Sequence, residues 1–507
     1  MSRLLQPRPQ EQYLYTAGQV RELDRLAIAS GIAGFDLMQR AGLAAFEILQ
    51  RRWPDCSSIE IFCGGGNNGG DGYVIAALAA EHGLALKVWA LSDPQRLKGD
   101  AALAWQWSQR AGVDVQSWAG EAPDVNAVIV DAMLGTGLRG DVRPQYAASV
   151  KTINRSGRPV LAIDIPSGLC SDSGRKLGDA ICADVTISFI GLKRGLFTLD
   201  GVECSGELVF ANLAVPRDVY RQLARQPLVR RLELGVLLRQ WPARRRNAHK
   251  GLFGHVLVVG GDYGMAGAAL LAATAAARSG AGLISCATRP EHVAAFVAAR
   301  PELMVHGINS ATDILPLLAK ATVVVIGPGL GQEAWAYELL KVVLASDKAL
   351  VIDADALNMV AAEPELLHSH RGPRILTPHP GEAARLLACT TAALQLDRFA
   401  SALALRDKFA AVVLLKGAGT VIASPEGLYL NSTGNPGMAS GGMGDVLAGL
   451  IGALMAQGLA PELASCLGAA VHGAAADCAA QAGPRGLLAS DVIEYLRGVI
   501  NSNAAVS

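Results

Sequence analysis

The sequence predicts an α/β protein built from two domains, each with a parallel sheet that helices cover on both faces. Short β-branched runs alternate with Ala-rich and Leu-rich stretches of helical length through most of the 507 residues, which is the pattern of repeated βα units. A chain of this length exceeds one ordinary core, since single domains run to about 100 to 200 residues. With 51% hydrophobic and 18% charged residues, it carries enough apolar material to bury two cores.

The charge balance and the cysteines exclude several classes of function. Lys+Arg and Asp+Glu number 45 each, so no global field attracts nucleic acid or an anionic membrane, and a small ligand is favoured. The nine cysteines are odd in number and lack CxxC spacing, which indicates reduced thiols in a cytosolic protein without structural zinc. No signal peptide is recognisable, and apolar runs such as 446–456 are too short to span a bilayer, so we expect a cytoplasmic protein.

The predicted strands fall into two sets, one in each half of the chain. The first set covers 59–63, 85–91, 127–131, 160–165 and 183–189. The second set covers 255–259, 283–287, 322–326, 350–353, 374–376 and 411–415. We therefore expect domains at 1–220 and 249–507, joined by a linker at 221–248.

The predicted linker is basic. Residues 221–250 carry nine Lys or Arg and a single acid, and Pro227 and Pro242 interrupt any long helix. Arg244, Arg245 and Arg246 form a run that could bind phosphate, although such runs are more often solvated surface segments.

A glycine-rich turn follows the first strand of the first half and precedes a helical stretch. Its sequence, residues 64–72, is GGGNNGGDG. Glycines let the backbone approach a phosphate, whose charge the helix N-terminal N–H groups stabilise. The turn departs from the Rossmann GxGxxG because Asn67, Asn68 and Asp71 place side-chain oxygens and amides inside it. An NAD-dependent dehydrogenase is rejected on this ground, and a dinucleotide bound here would be a substrate.

Two further strand exits in this half are polar and rich in glycine. Asp131 opens one, at residues 131–141, and Asp164 opens the other, at residues 164–169. Either Asp alone would more often be a helix cap. In open α/β sheets, however, ligands lie outside the carboxyl ends of the strands, so we expect the three exits to share one crevice.

These three motifs resemble the NAD(P)H-hydrate epimerase domain, over about residues 16–216. The resemblance implies a Rossmann-like fold and interconversion of the R and S forms of NADHX and NADPHX, in which water has added at C6 of the nicotinamide ring. It places the substrate on Asn67, Asn68, Gly69, Gly70, Asp71, Gly135, Thr136, Gly137, Leu138, Arg139, Gly140, Asp141, Tyr146 and Asp164. It places potassium, a hard cation that prefers oxygen ligands, on Asn68, Asp131 and Ser167. Asp164 is the candidate general acid or base, which requires a raised pKa.

The second half carries its strongest motif at residues 435–445, NPGMASGGMGD, before a purely apolar stretch. Backbone N–H groups of residues 441–444 are expected to bind an anion at a helix start, and Asp445 to take a proton from a substrate hydroxyl. This arrangement suits phosphoryl transfer. Other polar strand exits lie at 327–331, 377–382 and 416–420, and His379 between two prolines indicates a ligand contact more than an idle side chain.

This half resembles the ribokinase-like superfamily and, within it, the ADP-dependent NAD(P)H-hydrate dehydratase, over about residues 249–497. The resemblance implies that ADP phosphorylates the C6 hydroxyl and that elimination of phosphate restores NAD(P)H. It places the hydrated dinucleotide on Ala268, Gly331, His379 and Asp445. It places ADP on Lys416, Gly417, Ala418, Gly419, Thr420, Asn435, Gly441, Gly442 and Gly444. Magnesium is expected as a helper, although no dedicated metal motif is present.

Together the two resemblances imply a bifunctional repair enzyme and, since family members commonly assemble, a homo-oligomer. One alternative is a ribokinase-like vitamin or sugar kinase fused to a nucleotide-binding domain. Another is a non-catalytic dinucleotide sensor, in which Asp164 and Asp445 would be dispensable.

Overall fold

The computed structural model describes residues 12–223 and 229–502, and the chain divides into two compact units, Met1–Arg230 and Arg231–Ser507. Each unit contains a largely parallel sheet between layers of helices, which confirms the predicted fold class. All eleven predicted strands are present within about two residues of their expected ends.

The first unit is organised around a seven-stranded sheet in which every pair of neighbours is parallel. The strands in chain order are β1 (Tyr13–Tyr15), β2 (Ser58–Cys63), β3 (Ala85–Ala90), β4 (Val115–Ser117), β5 (Val128–Ala132), β6 (Val160–Ile163), β7 (Val185–Phe189), β8 (Leu192–Lys193), β9 (Glu207–Ala211) and β10 (Val229–Arg231). The order in the sheet is β4-β3-β2-β5-β6-β7-β9. The chain reverses its direction of winding between β2 and β5, which is where an open α/β sheet leaves a ligand crevice. β1 pairs with β8 and β10 outside this sheet.

Seven α-helices are present among the described residues of this unit. They are α1 (Ala17–Ala29), α2 (Gly34–Arg52), α3 (Asn67–Glu81), α4 (Gly99–Arg110), α5 (Pro144–Ser156), α6 (Asp200–Cys204) and α7 (Arg217–Arg221). Successive side chains of β5 pack on opposite faces of the sheet. Val128 and Val130 pack on the face covered by α2 and α3, whereas Ile129 packs on the face covered by α5. This alternation follows from the period of a strand and explains why the central strands read as continuous apolar runs.

The second unit has its own sheet, parallel up to a final pair of hairpins. Its strands are β11 (His255–Val259), β12 (Leu283–Thr288), β13 (Met304–Gly307), β14 (Val323–Ile326), β15 (Ala349–Ile352), β16 (Arg374–Leu376), β17 (Val412–Leu415), β18 (Thr420–Ser424) and β19 (Gly427–Asn431). The order is β13-β12-β11-β14-β15-β16-β17-β18-β19, and β17, β18 and β19 pair antiparallel.

The part of this unit that the structure describes, up to residue 502, has twelve α-helices. They are α8 (Leu234–Arg239), α9 (Ala266–Arg278), α10 (Val293–Ala299), α11 (Leu315–Lys320), α12 (Ala334–Leu344), α13 (Ala354–Ala362), α14 (Pro380–Leu386), α15 (Thr391–Leu396), α16 (Arg398–Phe409), α17 (Met443–Ala456), α18 (Pro461–Ala479) and α19 (Ala489–Ile500). α17 lies against α9 so closely that a Cβ on Gly449 would stand 2.0 Å from the carbonyl oxygen of Ala272. Small residues on both helices permit this approach, and α17 is buried along most of its length.

The segment predicted to be a linker carries regular structure in its described residues, 221–223 and 229–248, whereas Pro227 lies outside them. α8 buries Leu237 and Leu238 in the core of the second unit, and β10 lies at the boundary of the two units. Of the arginine run, Arg244 stacks on Phe253, 3.8 Å from the ring centroid, and donates to Gln457, whereas Arg245 and Arg246 are exposed.

One helical stretch, Pro461–Ala482, has the length and hydropathy of a membrane span. Some 67% of its most apolar window is buried inside the protein, as in a core helix.

Candidate functional sites

The three glycine-rich strand exits of the first unit meet at one cavity of about 850 Å³. Its wall includes residues from the loops after β2, β5 and β6, so these exits converge as the topology requires. Of the substrate residues implied by the resemblance, the following line it: Asn67, Asn68, Asp71, Gly135, Thr136, Gly137, Leu138, Arg139, Asp141, Tyr146 and Asp164. Gly69, Gly70 and Gly140 are not part of the wall.

Several of the glycines after β2 are required by close packing against protein. A Cβ on Gly64 would lie 1.7 Å from the carbonyl oxygen of Met133, and one on Gly69 would lie 2.0 Å from that of Gly64. Gly66 is the exception, since open space surrounds it at the N-cap of α3. The first N–H groups of α3 have no partners within the helix and begin at Asn67, on the cavity wall. Close backbone packing therefore brings a helix N-terminus to the cavity.

Asp131, Ser167 and Asn68 form a polar group beside this cavity. Asp131 lies near the end of β5, and its buried carboxylate accepts hydrogen bonds from Ser167 Oγ at 2.6 Å and Ser167 N–H at 2.7 Å. Burial outweighs these bonds and raises the pKa of Asp131 to about 6. The side-chain nitrogen of Asn68 is buried without a partner among the described residues. The group is thus rich in oxygen, with a carboxylate that no described cation contacts.

Asp164 immediately follows β6 in the left-handed region of the backbone, with φ of 67°. A non-glycine residue there is strained and is held by its surroundings. Lys193 Nζ donates to its carboxylate and also to Ser188 Oγ at 3.0 Å and the carbonyl of Phe189 at 3.2 Å. The Lys193 side chain is fully buried, whereas that of Asp164 is 17% exposed at the cavity. Asp164 therefore faces the cavity as one half of an ion pair.

Two carboxyls that line the cavity beside Asp164 have raised pKa values. Burial and the charge of Asp164 raise the pKa of Asp24 to about 7. The same causes raise the pKa of Asp71 well above its usual range. Both residues line the cavity with Asp164. The site thus combines the ion-paired carboxylate of Asp164 with two carboxyls whose pKa values burial raises.

The second unit places Asp445 in the first turn of α17, after the glycine loop. Gly442 is the N-cap, with φ of 88°, so the backbone turns into the helix where a side chain would be strained. Burial, and next the charge of Asp353, raise the pKa of Asp445 to about 7. Such a group accepts a proton at neutral pH and returns it, as a general base must. Free N–H groups of the helix start surround it.

Lys416 lies beside Asp445 and joins two buried carboxylates. Its Nζ is 2.8 Å from Asp353 Oδ1 and 3.9 Å from Glu382 Oε2. Burial alone would lower the pKa of Lys416, but the two carboxylates outweigh it and raise that pKa. A Cβ on Gly444 would stand 3.1 Å from Lys416 Nζ, so this lysine reaches the glycine loop. A fixed cation thus stands where a transferred phosphoryl group would need one.

His379 is the N-cap of α14 and not part of a free loop. Its Nδ1 accepts the N–H groups of Gly381 at 3.0 Å and Glu382 at 3.4 Å, while Glu382 accepts the N–H of His379 at 2.8 Å. Burial and Lys416 lower the pKa of the imidazole, which is consistent with a neutral ring that accepts at Nδ1. Half of the side chain remains exposed, so the cap leaves a face for a ligand.

Arg398 stabilises the turn between β17 and β18. The sequence analysis did not identify this residue. This buried guanidinium donates to the carbonyls of Leu415, Lys416 and Gly419 at 3.2 to 3.3 Å. Burial lowers its pKa to about 10.

Asn435, predicted as a nucleotide contact, uses its side chain within the protein: Oδ1 accepts the N–H of Gly437 and Nδ2 donates to Asp477, each at 3.0 Å.

The remaining predicted residues lie at the same edge of the sheet. Gly331 donates its N–H to Asp355 at 2.9 Å, and a Cβ on Gly329 would lie 3.1 Å from the Cβ of Ala268. The structure thus brings the strand exits of β14, β15, β16 and β17 together around Asp445. In the described residues, no group of three or more His, Cys, Asp or Glu side chains is arranged to hold a metal ion.

Comparison with known proteins identifies both units. A family model described as NAD(P)H-hydrate dehydratase matches residues 256–497, and one described as YjeF-related protein N-terminus matches residues 34–195. The bifunctional NAD(P)H-hydrate repair enzyme Nnr of Coxiella burnetii is 47% identical over 490 residues, covering 96% of this chain and 99% of that protein. The chain belongs to the bifunctional NAD(P)H-hydrate repair enzymes.

Solved structures match the second unit. A ribokinase-like superfamily protein from Enterococcus faecalis V583 superposes with a TM-score of 0.50 at 30% identity, covering 54% of this chain and 96% of that one. The ADP/ATP-dependent NAD(P)H-hydrate dehydratase from Bacillus subtilis, co-crystallised with ATP and Mg²⁺, is 32% identical over 53% of this chain and 97% of that one, with a TM-score of 0.48. Membership of the repair-enzyme family confirms the resemblance drawn from the motifs of both halves.

Proposed function

We propose that this chain repairs hydrated NADH and NADPH through both units. The first unit interconverts the R and S forms of NADHX and NADPHX, and the second dehydrates the S form with ADP, giving NAD(P)H, AMP and phosphate. The observation that carries the proposal is the placement of Asp445, with a pKa of about 7, between the glycine loop and Lys416 in a chain of this family. The acidic group, the helix start and the fixed cation are the parts that a phosphoryl transfer to a hydroxyl requires.

In the first unit, the N-terminus of α3 and the loop after β5 bind the substrate. The implied contacts are Asn67 to Asp71, Gly135 to Asp141 and Tyr146. Asp164 stands at the reacting carbon, where Lys193 holds its carboxylate in place. Inversion at C6 requires a bond to that carbon to break and form again, with a proton passed to and from the departing oxygen. Asp24, with a pKa of about 7, gains and loses a proton near neutrality, and the pKa of Asp71 is also raised by burial, so these two carboxyls supply that exchange.

Potassium fits the group formed by Asn68, Asp131 and Ser167. Its donors are oxygens, as a hard cation prefers, and the buried Asp131 carboxylate has a pKa raised to about 6 because no described cation offsets its burial. A bound potassium ion would supply positive charge behind the loops that face the substrate phosphates. The residues themselves order the loop, since Ser167 Oγ accepts the N–H of Leu134 at 2.8 Å.

In the second unit, Asp445 takes the proton of the C6 hydroxyl as the hydroxyl oxygen attacks the terminal phosphorus of ADP. The phosphorus–oxygen bond to AMP breaks as the new bond forms, and the C6 oxygen becomes part of a phosphate ester. Phosphate then leaves with the C6–O electron pair, a proton is lost from C5, and the ring double bond returns. Lys416 and the N–H groups at the start of α17 stabilise the charge on the transferred group.

ADP lies against the turn at 416–420 and the loop at 435–444, and the hydrated ring lies between Asp445, His379, Gly331 and Ala268. Magnesium would enter with the nucleotide phosphates, because Mg²⁺ binds through one or two carboxylates, phosphates and water. The described residues form no metal cage of their own, so no step here depends on it. We also propose that the protein works as a homo-oligomer in the cytoplasm.

The test is the absorbance at 340 nm when full-length protein meets a mixture of (R)- and (S)-NADHX with ADP, with ATP or without nucleotide. We expect NADH to be recovered from both epimers in the presence of ADP. Recovery that stops at the S fraction would contradict the epimerase assignment. ATP-dependent phosphorylation of a free alcohol, without any action on NADHX, would show a kinase instead.

A further inference from the structure

Three neighbouring strands of the second unit end beside the proposed hydrate site. β12, β11 and β14 lie side by side, and their carboxyl ends lead to Arg289, Asp262 and the loop at 327–331. Asp262 N–H donates to the carbonyl of Gly329 at 2.6 Å. A Cβ on Gly331 would lie 2.8 Å from Asp262 Oδ2. Asp262 therefore connects Arg289 to the glycines expected to contact the substrate.

Arg289 is held in one orientation by three neighbours. Its Nε donates to Asp262 Oδ1 at 2.7 Å, and its Cζ lies 4.0 Å from the ring centroid of Trp335 and 4.7 Å from that of Tyr263. The two rings are themselves fixed: Trp335 Nε1 donates to the carbonyl of Ile308 at 3.1 Å, and Tyr263 Oη donates to a Glu291 carboxylate oxygen at 3.0 Å. A guanidinium stacked in this way loses little freedom on binding an anion.

The terminal nitrogens of Arg289 are left for a ligand. The contact with Asp262 uses Nε alone, and neither terminal nitrogen has a hydrogen-bond partner among the residues at 12–223 and 229–502. The side chain is 17% exposed, and Tyr263 beside it is 57% exposed. A planar pair of N–H donors that faces solvent matches the geometry of a phosphate.

We propose that Arg289 binds a phosphate group of the hydrated dinucleotide in the dehydratase site. The inference rests on the proposed dehydratase function and adds a residue that neither motif nor resemblance assigned. The phosphate belongs either to the pyrophosphate, which both substrates carry, or to the 2′-phosphate, which only NADPHX carries.

The position of Arg289 in the sheet favours the hydrated dinucleotide over ADP. Arg289 follows β12, whereas the proposed ADP turn follows β17, and these two strand ends lie five strands or about 24 Å apart at about 4.8 Å per strand. Asp353, which adjoins the start of α17, follows β15, and the ends of β12 and β15 lie three strands or about 14 Å apart. A dinucleotide with its reacting ring at Asp445 can span the second distance.

The experiment compares full-length wild type with Arg289→Gln on (S)-NADHX and (S)-NADPHX at saturating ADP, followed at 340 nm. We expect KM to rise about tenfold or more, with kcat within about twofold, because a charge-assisted bond to the substrate is lost. A rise for both substrates would assign the pyrophosphate, and a rise for NADPHX alone would assign the 2′-phosphate. Unchanged KM values for both would overturn the proposal.

Two further variants keep the test decisive. Arg278→Gln removes an arginine of the same unit at the far end of α9, paired with Glu494 on the surface, and should leave both KM values unchanged. Arg289→Lys retains a charge opposite Asp262 in case the glutamine variant fails to fold, and should raise KM by a smaller factor because lysine lacks the planar pair of donors. If the wild type acts on both hydrates and the Arg289 variants have wild-type KM values, only this inference is contradicted. If the wild type is inactive on both hydrates, the proposed function is contradicted as well.

Discussion

Lys193 and Asp164 form an ion pair at the floor of the first site, with the lysine side chain fully buried and the carboxylate open to the cavity. Lys193 lies in β8, the short strand after β7, and Asp164 directly follows β6. Because β6 and β7 are neighbours in the sheet, the ends of two adjacent strands bring the pair together. In the proposed mechanism, this pairing holds the Asp164 carboxylate at the reacting carbon, and Asp24 and Asp71 exchange the proton.

Substitution of Lys193 by Met should destabilise the first unit and abolish epimerisation. The change leaves a largely buried Asp164 carboxylate without its partner, which costs about 3 to 5 kcal/mol. Urea unfolding of the full-length chain measures the loss, and chromatography of NADHX epimers measures the activity. Arg25→Gln is the matched control, because it removes an exposed pair with Glu22 and should leave the urea midpoint unchanged. Wild-type stability of the Lys193 variant would contradict the role given to this pair.

Asp24→Asn should stabilise the protein at neutral and alkaline pH but not in acid. The folded protein binds the Asp24 proton with a pKa of about 7, against 3.8 for an ordinary aspartate, so folding favours the protonated form. The favourable contribution is complete below pH 4 and is lost as the pH rises through 7. A neutral amide avoids this loss, so the apparent Tm of the variant should exceed that of wild type by a margin that grows from pH 5 to pH 7 and then levels off. A margin independent of pH would contradict the raised pKa.

Asp445→Asn should abolish dehydration and leave epimerisation intact. Without the carboxylate, no group takes the hydroxyl proton, and we expect kcat for NADH recovery to fall at least about 100-fold. In wild type the same rate should be about tenfold lower at pH 6 than at pH 8, because a base with a pKa of about 7 is mostly protonated at the lower pH. The epimerase activity of the variant serves as its folding control. Dehydration that persists in the variant would remove Asp445 from the mechanism.

Potassium should raise the apparent Tm of the wild-type protein above that measured at equal ionic strength in a bulky organic cation. Any ligand that binds only the folded protein stabilises it in proportion to its occupancy. Asp131→Asn keeps the shape of the side chain but removes the buried charge, so the gain from potassium should disappear. An equal gain in the variant would place the ion elsewhere.

The sequence predicted the strands, the glycine-rich loops and the crevice that these loops share, because these features depend on local pattern and on the topology of parallel sheets. The sequence did not point to Asp24 or Lys193, because their roles arise from burial beside residues that are distant in the chain. Asp24 lies within an ordinary amphipathic helix, and Lys193 lies in the two-residue strand β8, which carries no motif. Arg398 and Arg289 were not predicted for the same reason. The sequence does not show the carbonyls that surround Arg398 or the aromatic rings that surround Arg289.

The glycine loop after β2 shows a related limit, since the sequence does not separate glycines needed for packing from those that face a ligand. Gly64→Ala should prevent correct folding of the first unit, because its Cβ would lie 1.7 Å from the backbone oxygen of Met133, which cannot move without shifting β5. Gly66→Ala has open space and an extended backbone that alanine adopts readily, so it should unfold at the wild-type temperature. The two variants form a matched pair for circular dichroism and thermal unfolding. Since Gly66 lies on the cavity wall at the start of α3, its variant should also raise KM for epimerisation while leaving dehydration unchanged. Equal stability of the two variants would contradict the close contact between the loops after β2 and β5.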